Sequence, residues 1–286
     1  MPPRSKPLNI KRKEDFDIMK LSFSTLACPD WHFKDVYATA ADLGYDGIEI
    51  RGIADQMYAP QIADFSDEKL ERSKEALAAR KLNIPMLTTD AYVVSNPDFD
   101  KCKEEVKDYC VLAQKLGVPY VRVLMERTPA PESLPDFDYT VKCYRELCAL
   151  AAEYNVTLLT ETNGFLASSD VCRRFMEATN CENAGLIWDV HHPYRFFDED
   201  IAVTAKNIGK YVRHVHLKDS VKGSNGKISY MLTGYGDFPF EKVIEELKAI
   251  GYDGYLSYEW VKRWSRELAE PGVALFQYIN YIKTLM

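Results

Sequence analysis

From Lys20 to the C-terminus the chain alternates between two hydrophobic periods, and that alternation limits the folds open to it. Short apolar runs with the character of strands stand at KLSFST (20–25), GIEIR (47–51), NIPMLTT (83–89), PYVRVLM (119–125), VTLLTET (156–162), AGLIWDV (184–190), YVRHVHL (211–217) and GYLSYEW (254–260). Between them apolar residues recur at three and four spacing, the period of a helix. This predicts helices over Phe33–Leu43, Asp67–Lys81, Asp98–Leu116, Phe137–Tyr154, Ser169–Thr179, Asp200–Ile208 and Phe240–Ile250, with Glu270–Leu285 after the last strand. Three segments, LGYDGIEI (43–50), LGVPYVRVL (116–124) and IGYDGYLSYE (250–259), repeat one grammar: a helix ends on an apolar residue and Gly, the chain turns, and a strand begins. Gly past the last helical turn supplies a left-handed cap. Eight strand–helix units of about thirty residues match a (β/α)8 barrel of about 250 residues. An open doubly wound sheet alternates in the same way, but no G-x-G-x-x-G follows the first strand, where a dinucleotide fold carries it. The expected fold class is therefore α/β, a single (β/α)8 TIM barrel, with residues 19–286 as the catalytic domain.

Composition narrows the partners. At 47% hydrophobic and 28% charged the chain can fill a large core. It has no apolar run of membrane-spanning length. Residues 1–18 carry five basic and three acidic side chains and no apolar segment, so a disordered or tag-like extension is expected there rather than a targeting peptide. The net charge of −7 makes the chain a poor generic binder of nucleic acid or anionic membrane. Seven cysteines, none spaced as C-x-x-C, read as reduced and mostly buried thiols of a cytoplasmic protein.

The sharpest chemical signal is positional. Glu161, Asp189, His216 and Glu259 end the fifth to eighth predicted strands in turn. Adjacent strands lie about 4.8 Å apart, and barrel active sites sit at the C-terminal ends of the strands. Side chains there converge on one space. Three crowded carboxylates repel and raise one another's pKa; a divalent cation removes that cost. One imidazole with three carboxylates suits Mn2+ first, with Mg2+ and Co2+ close behind and Zn2+ also admitted.

The segments ETN (161–163), WDVHHP (188–193), HVHLKD (214–219) and SYEW (257–260) resemble the xylose isomerase-like barrels, the sugar phosphate isomerase/epimerase superfamily. The likeness runs from Met19 to the C-terminus. It implies that Glu161 and Glu259 both bind the metal and move protons, and that Asp189 and His216 complete the ligand set. It places His192 and Lys222 against substrate. Two departures stand out. Ala167 occupies a position where the epimerases have a further acid, and Asn163 stands where the dehydratases often have His.

Asn163, Trp31 and Trp260 are further substrate-binding candidates, since aromatic loops can wall a sugar site; packing under the loops serves Trp31, Trp260 and Trp264 equally. Either His191 or His192 can hang over the mouth, and the family resemblance at D-x-x-H implies His192. His214, one layer below His216, is expected to be a hydrogen-bonded interior residue. Glu49 is open between substrate contact and a structural charge pair. The basic, Gly-rich stretch 218–227 is expected to be a solvated loop, or a phosphate site if functional.

The expected function is a divalent-metal-dependent isomerase or epimerase of a ketose, sugar phosphate or polyol, with glutamate-to-glutamate proton transfer through a metal-stabilised enediolate. The alternative is a dehydratase of a cyclic polyol or keto acid, of the inosose or 3-dehydroshikimate type. An abasic-site endonuclease needs more histidines than the five present, and a non-catalytic sugar-binding barrel is at odds with an intact ligand set. The expected partner is a small carbohydrate, with neither nucleic acid nor membrane; assembly into a homo-oligomer is left open.

Overall fold

The computed structural model describes residues 19–132 and 135–286. The expectation for residues 1–18 lies outside the described residues. Eight parallel strands form the barrel: β1 (Lys20–Ser24), β2 (Gly47–Glu49), β3 (Met86–Tyr92), β4 (Tyr120–Leu124), β5 (Thr157–Glu161), β6 (Ala184–Asp189), β7 (Val212–Leu217) and, after a hairpin of β8 (Asp219–Lys222) and β9 (Ile228–Met231), the eighth barrel strand β10 (Tyr255–Tyr258). The hydrogen-bonded order is β2-β1-β10-β7-β6-β5-β4-β3. Parallel bridges Gly47↔Asn83 and Ile50↔Leu87 join the two ends, so the barrel is nearly closed.

The expected helices are present: α1 (Phe33–Leu43), α2 (Leu70–Ala78), α3 (Phe99–Leu116), α4 (Phe137–Ala152), α5 (Ser169–Thr179), α7 (Ile201–Ile208), α8 (Phe240–Ala249) and α9 (Pro271–Lys283). Asp98 and Asp136 accept amide hydrogen bonds at the starts of α3 and α4. An additional short helix, α6 (His191–Phe197), follows β6. The third strand is shifted toward the C-terminus, to Met86–Tyr92, because Pro85 cannot donate to a ladder. The stretch 218–227 is largely a hairpin rather than a solvated loop. Ser220 and Tyr230 pair across it, and Gly226 (φ +78°) takes the left-handed turn position.

Two layers of core separate cleanly. The outward faces of the strands pack under the helices through Leu158, Leu186 and Val215. The barrel interior holds its own small apolar cluster of Met86, Leu159 and Ile187, against which Tyr120 packs. Above this floor the inward positions are polar: Arg122, Glu161, Asp189, His214, His216 and Ser257, all buried. Each lies two residues beyond an inward neighbour, the strand period. Among the described residues no helix is long and apolar enough to cross a membrane.

All seven cysteines are free, six of them buried and Cys181 half-buried. Burial pushes the Cys102 and Cys110 thiols up to about 12, and the thiolate is the reactive form. A thiol titration with a disulfide reagent is therefore expected to count seven sulfurs after denaturation and at most one, Cys181, in the native protein. Rapid native reaction of several thiols would contradict this packing.

Candidate metal centre and active site

The four strand-end residues meet. One ligand atom from each of Glu161, Asp189, His216 and Glu259 lies within 4.8 Å of the others. They do not share a register level. Glu161 is level with Ile187, Asp189 with His216, and His216 with Ser257, two residues before Glu259. The strand tilt of about 36° in such barrels converts this stagger into a common height.

His216 is held in place by a buried hydrogen-bond network. Its Nε2 donates to Glu49 Oε2 at 3.0 Å, an oxygen that also takes His214 Nε2 at 3.0 Å and Ser257 Oγ at 2.8 Å. This bond leaves Nδ1 as the ring nitrogen turned toward the carboxylates, where a cation or a proton can sit. Nδ1 is buried without a hydrogen-bond partner, with Glu161 Oε1 at 3.4 Å and Glu259 Oε1 at 3.5 Å on either side. Burial opposes charge on the ring, but Glu49, Glu259 and Glu161 outweigh it and hold His216 well above the usual imidazole range. The cluster draws positive charge to this point.

Each glutamate has one oxygen anchored by a buried cation and the other turned inward. Arg122 Nη1 donates to Glu161 Oε2 at 3.0 Å, and Lys218 Nζ donates to Glu259 Oε2 at 2.5 Å and to Asp189 Oδ2. Burial raises Asp189 above the usual aspartate range even with Lys218 beside it. Four buried carboxylates, Glu49, Glu161, Asp189 and Glu259, thus face two buried cations, Arg122 and Lys218. The protonated His216 leaves one negative charge unmatched; with its Nδ1 proton displaced by a metal two would be, the charge of one divalent cation. The donor set, three carboxylates and one imidazole with an orphaned nitrogen, fits such an ion.

A cavity of about 530 Å3 opens over this cluster, lined in part by Glu161, Asn163, His192, Lys218, Tyr230 and Glu259. His192 reaches it from α6, its Nδ1–H bonded to Thr162 O at 3.0 Å and its Nε2 3.3 Å from Asp189 Oδ2. Burial, with Lys218 nearby, pushes His192 down to about 3, so the ring is neutral at pH 7. His191 instead bonds Ser220 Oγ at 2.8 Å beneath the hairpin. The Asn163 amide is committed to Glu126 O and Thr128 O, and a Cβ on Gly164 (φ +58°) would strike Glu126 Oε2 at 2.3 Å, so this turn after β5 needs glycine.

Three expected substrate contacts lie elsewhere. Lys222 binds Asp198 Oδ1 at 2.7 Å on the outer side of the hairpin and does not line the cavity. Lys218, two residues past His216 and on the same strand face, does. Trp31 packs against the core. Trp260 is buried, stacked on Tyr258 with ring centroids 5.7 Å apart, its Nε1 donating to Ala269 O. The tryptophan at the cavity is Trp264. Arg122 and Lys218 were not singled out from the sequence; their signal was the two-residue spacing to Leu124 and His216 on inward faces.

The Glu49 contact carries a prediction. A carboxylate behind a ligating histidine fixes its tautomer, and losing it typically costs 10- to 100-fold in metal affinity. Glu49→Gln is expected to weaken Mn2+ binding by about that factor, measured by calorimetry, with the fold intact by circular dichroism. Unchanged affinity would mean that Nδ1 of His216 does not ligate.

A polar cluster of four candidate ligands thus stands at the C-terminal mouth of a nearly closed parallel barrel. Residues 37–279 match the family described as xylose isomerase-like TIM barrel, and the chain belongs to that family. Several solved structures share the fold. The probable 3-DHS dehydratase AsbF of Bacillus anthracis superposes with a TM-score of 0.77 at 19% identity, over 93% of this chain and 99% of that one. The IOLI protein, solved with a zinc atom, gives 0.77 at 19% identity over 93% and 98%. D-Psicose 3-epimerase from Clostridium cellulolyticum H10, solved with D-tagatose, gives 0.74 at 19% identity over 93% and 99%. No curated protein matches the chain significantly.

Proposed function

We infer that the chain is a divalent-metal-dependent enzyme that moves a proton beside a carbonyl of a polyhydroxylated substrate, as an isomerase or epimerase. The observation that carries this reading is the paired arrangement of Glu161 and Glu259, both lining the cavity and both within 3.5 Å of His216 Nδ1. A divalent cation held by Glu161, Asp189, His216 and Glu259 supplies Lewis-acid polarisation of a substrate carbonyl. The chain supplies the rest. One glutamate takes the proton from the carbon beside the carbonyl, and the other delivers a proton to the opposite face or the neighbouring carbon. Arg122 and Lys218 hold the far oxygens of the two carboxylates, so each presents its near oxygen in a fixed direction. His192, neutral, offers its Nε2 to a substrate hydroxyl. Tyr230 and Trp264 add aromatic surface to the cavity lining.

The similarity in fold to both epimerases and a dehydratase supports a reaction in this group without selecting one. Loss of a β-hydroxyl after the same proton removal makes the dehydratase the second reading. The test is incubation of the Mn2+-loaded protein in D2O with ketoses, sugar phosphates, keto acids and cyclic polyols. Deuterium entering a C–H position beside a carbonyl is the expected result; water loss would assign the dehydratase. Metal-loaded protein that exchanges no C–H proton and turns over no member of the panel sinks the reading.

A further inference from the structure

Away from the four candidate metal ligands, on the β2–β4 side of the cavity, stands a second charged group. Arg51 follows β2, two residues after Glu49, and its side chain is 5% exposed. Its backbone is pinned by Thr25 Oγ1 at 2.8 Å, and the chain turns at once through Gly52 (φ +106°), where a Cβ would meet Gln56 O at 3.0 Å. The guanidinium lines the cavity and lies 5.9 Å from the ring centroid of Trp264. Nη2 donates to Asp90 Oδ1 at 2.6 Å, but that carboxylate is 68% exposed. Nη1 is buried and has no hydrogen-bond partner.

A buried guanidinium normally satisfies its donors, because an unmade charged hydrogen bond is costly. Burial and then the like charge of Arg122 disfavour ionised Arg51, while Asp90 and Glu105 offset them in part. Arg127 also lines the cavity, is exposed, and makes no ion pair with a carboxylate among the described residues. Leu26, Leu124 and Val261 line the cavity as well and give it an apolar surface. A buried guanidinium fork with an open donor, in a cavity lined by a second arginine and by apolar residues, is an arrangement that recognises an oxyanion.

The geometry points to an anion subsite: Arg51, assisted by Arg127, takes a carboxylate or phosphate carried by the substrate, while the substrate's hydroxyl and carbonyl oxygens face Glu161 and Glu259. This deepens the proposed function and rests on its reading of the cavity as the substrate site. It selects acidic sugars, sugar phosphates or carboxylated cyclic polyols over neutral ketoses.

Two probes separate the sources of charge: acetate stands for a carboxylate and sulfate for a phosphate. Each is titrated calorimetrically, in chloride-free buffer, into wild type, Arg51→Met and Arg127→Gln, with and without Mn2+. Wild type is expected to bind one of the two anions whether or not Mn2+ is present. Arg51→Met should weaken that binding by about ten-fold or more, and Arg127→Gln by a few-fold. Arg127 is exposed, so its variant keeps the test valid even if Arg51→Met folds poorly by circular dichroism. Failure of wild type to bind either anion, or equal binding by both variants, overturns the subsite. The two readings fail separately. Arg51-dependent anion binding by a protein inert in D2O removes the reaction and keeps the subsite. Turnover of a neutral ketose with anion binding unmoved in both variants removes the subsite alone.

Discussion

Glu161→Gln and Glu259→Gln are each expected to lose turnover by about 100- to 10,000-fold, the usual contribution of a positioned general acid or base. Glutamine keeps the size of the side chain and one coordinating oxygen, so part of the metal affinity should survive, but it cannot accept a proton. The two losses should differ in kind. The glutamates flank His216 Nδ1 from two sides, at 3.4 and 3.5 Å, and a two-base mechanism needs them on opposite faces of the substrate. One variant should therefore still exchange the substrate proton with D2O while failing to deliver a proton to the other face. The measurement is deuterium content beside turnover for each variant, with bound metal quantified in the same samples. Near-normal turnover in both variants with metal bound would falsify the two-base mechanism and leave the glutamates as ligands only.

Chelation of the metal is expected to lower the melting temperature by about 5 °C or more. A ligand held at one hundred times its dissociation constant contributes about 2.7 kcal/mol, and a chain of this size shifts by roughly 2–4 °C per kcal/mol. The source of the effect is the charge imbalance around Lys218 and Arg122, which a divalent cation offsets. Asp189→Asn isolates it. Asparagine can still accept the His191 amide, which Asp189 Oδ1 takes at 3.0 Å, but it removes one of the ligand charges. The variant should lose stoichiometric Mn2+ binding together with most of the chelator-dependent shift. Scanning calorimetry with and without chelator reads both. Coincident melting of the metal-loaded and chelated wild type, with Asp189→Asn still binding one equivalent of metal, sinks the assignment of the site.

What the chain determined by itself was everything that depends on local period. Helices such as Phe33–Leu43 and Ser169–Thr179 are recovered to the residue, because a run at the helical period ends at a residue that takes the left-handed conformation, Gly44 and Asn180. The convergence of Glu161, Asp189, His216 and Glu259 was legible for a related reason: the two-residue alternation of a strand says which side chains share a face, and four consecutive strands ended in a ligand type. What only the tertiary structure decided are the contacts made by barrel closure and strand stagger. Glu49 and His216 are 167 positions apart, and Arg122 and Glu161 are 39 apart; no local pattern links them, yet they fix the orientation of the imidazole ring and the direction of the glutamate. The two lysines after β7 show the boundary between the two kinds of information. Lys218 and Lys222 both have the parity of His216, but the hairpin β8–β9 leaves the barrel between them. Lys222 is carried out to Asp198, and Lys218 is left under the carboxylates. Parity is set by the backbone of one strand, whereas the point at which a strand leaves the barrel is set by what packs against it.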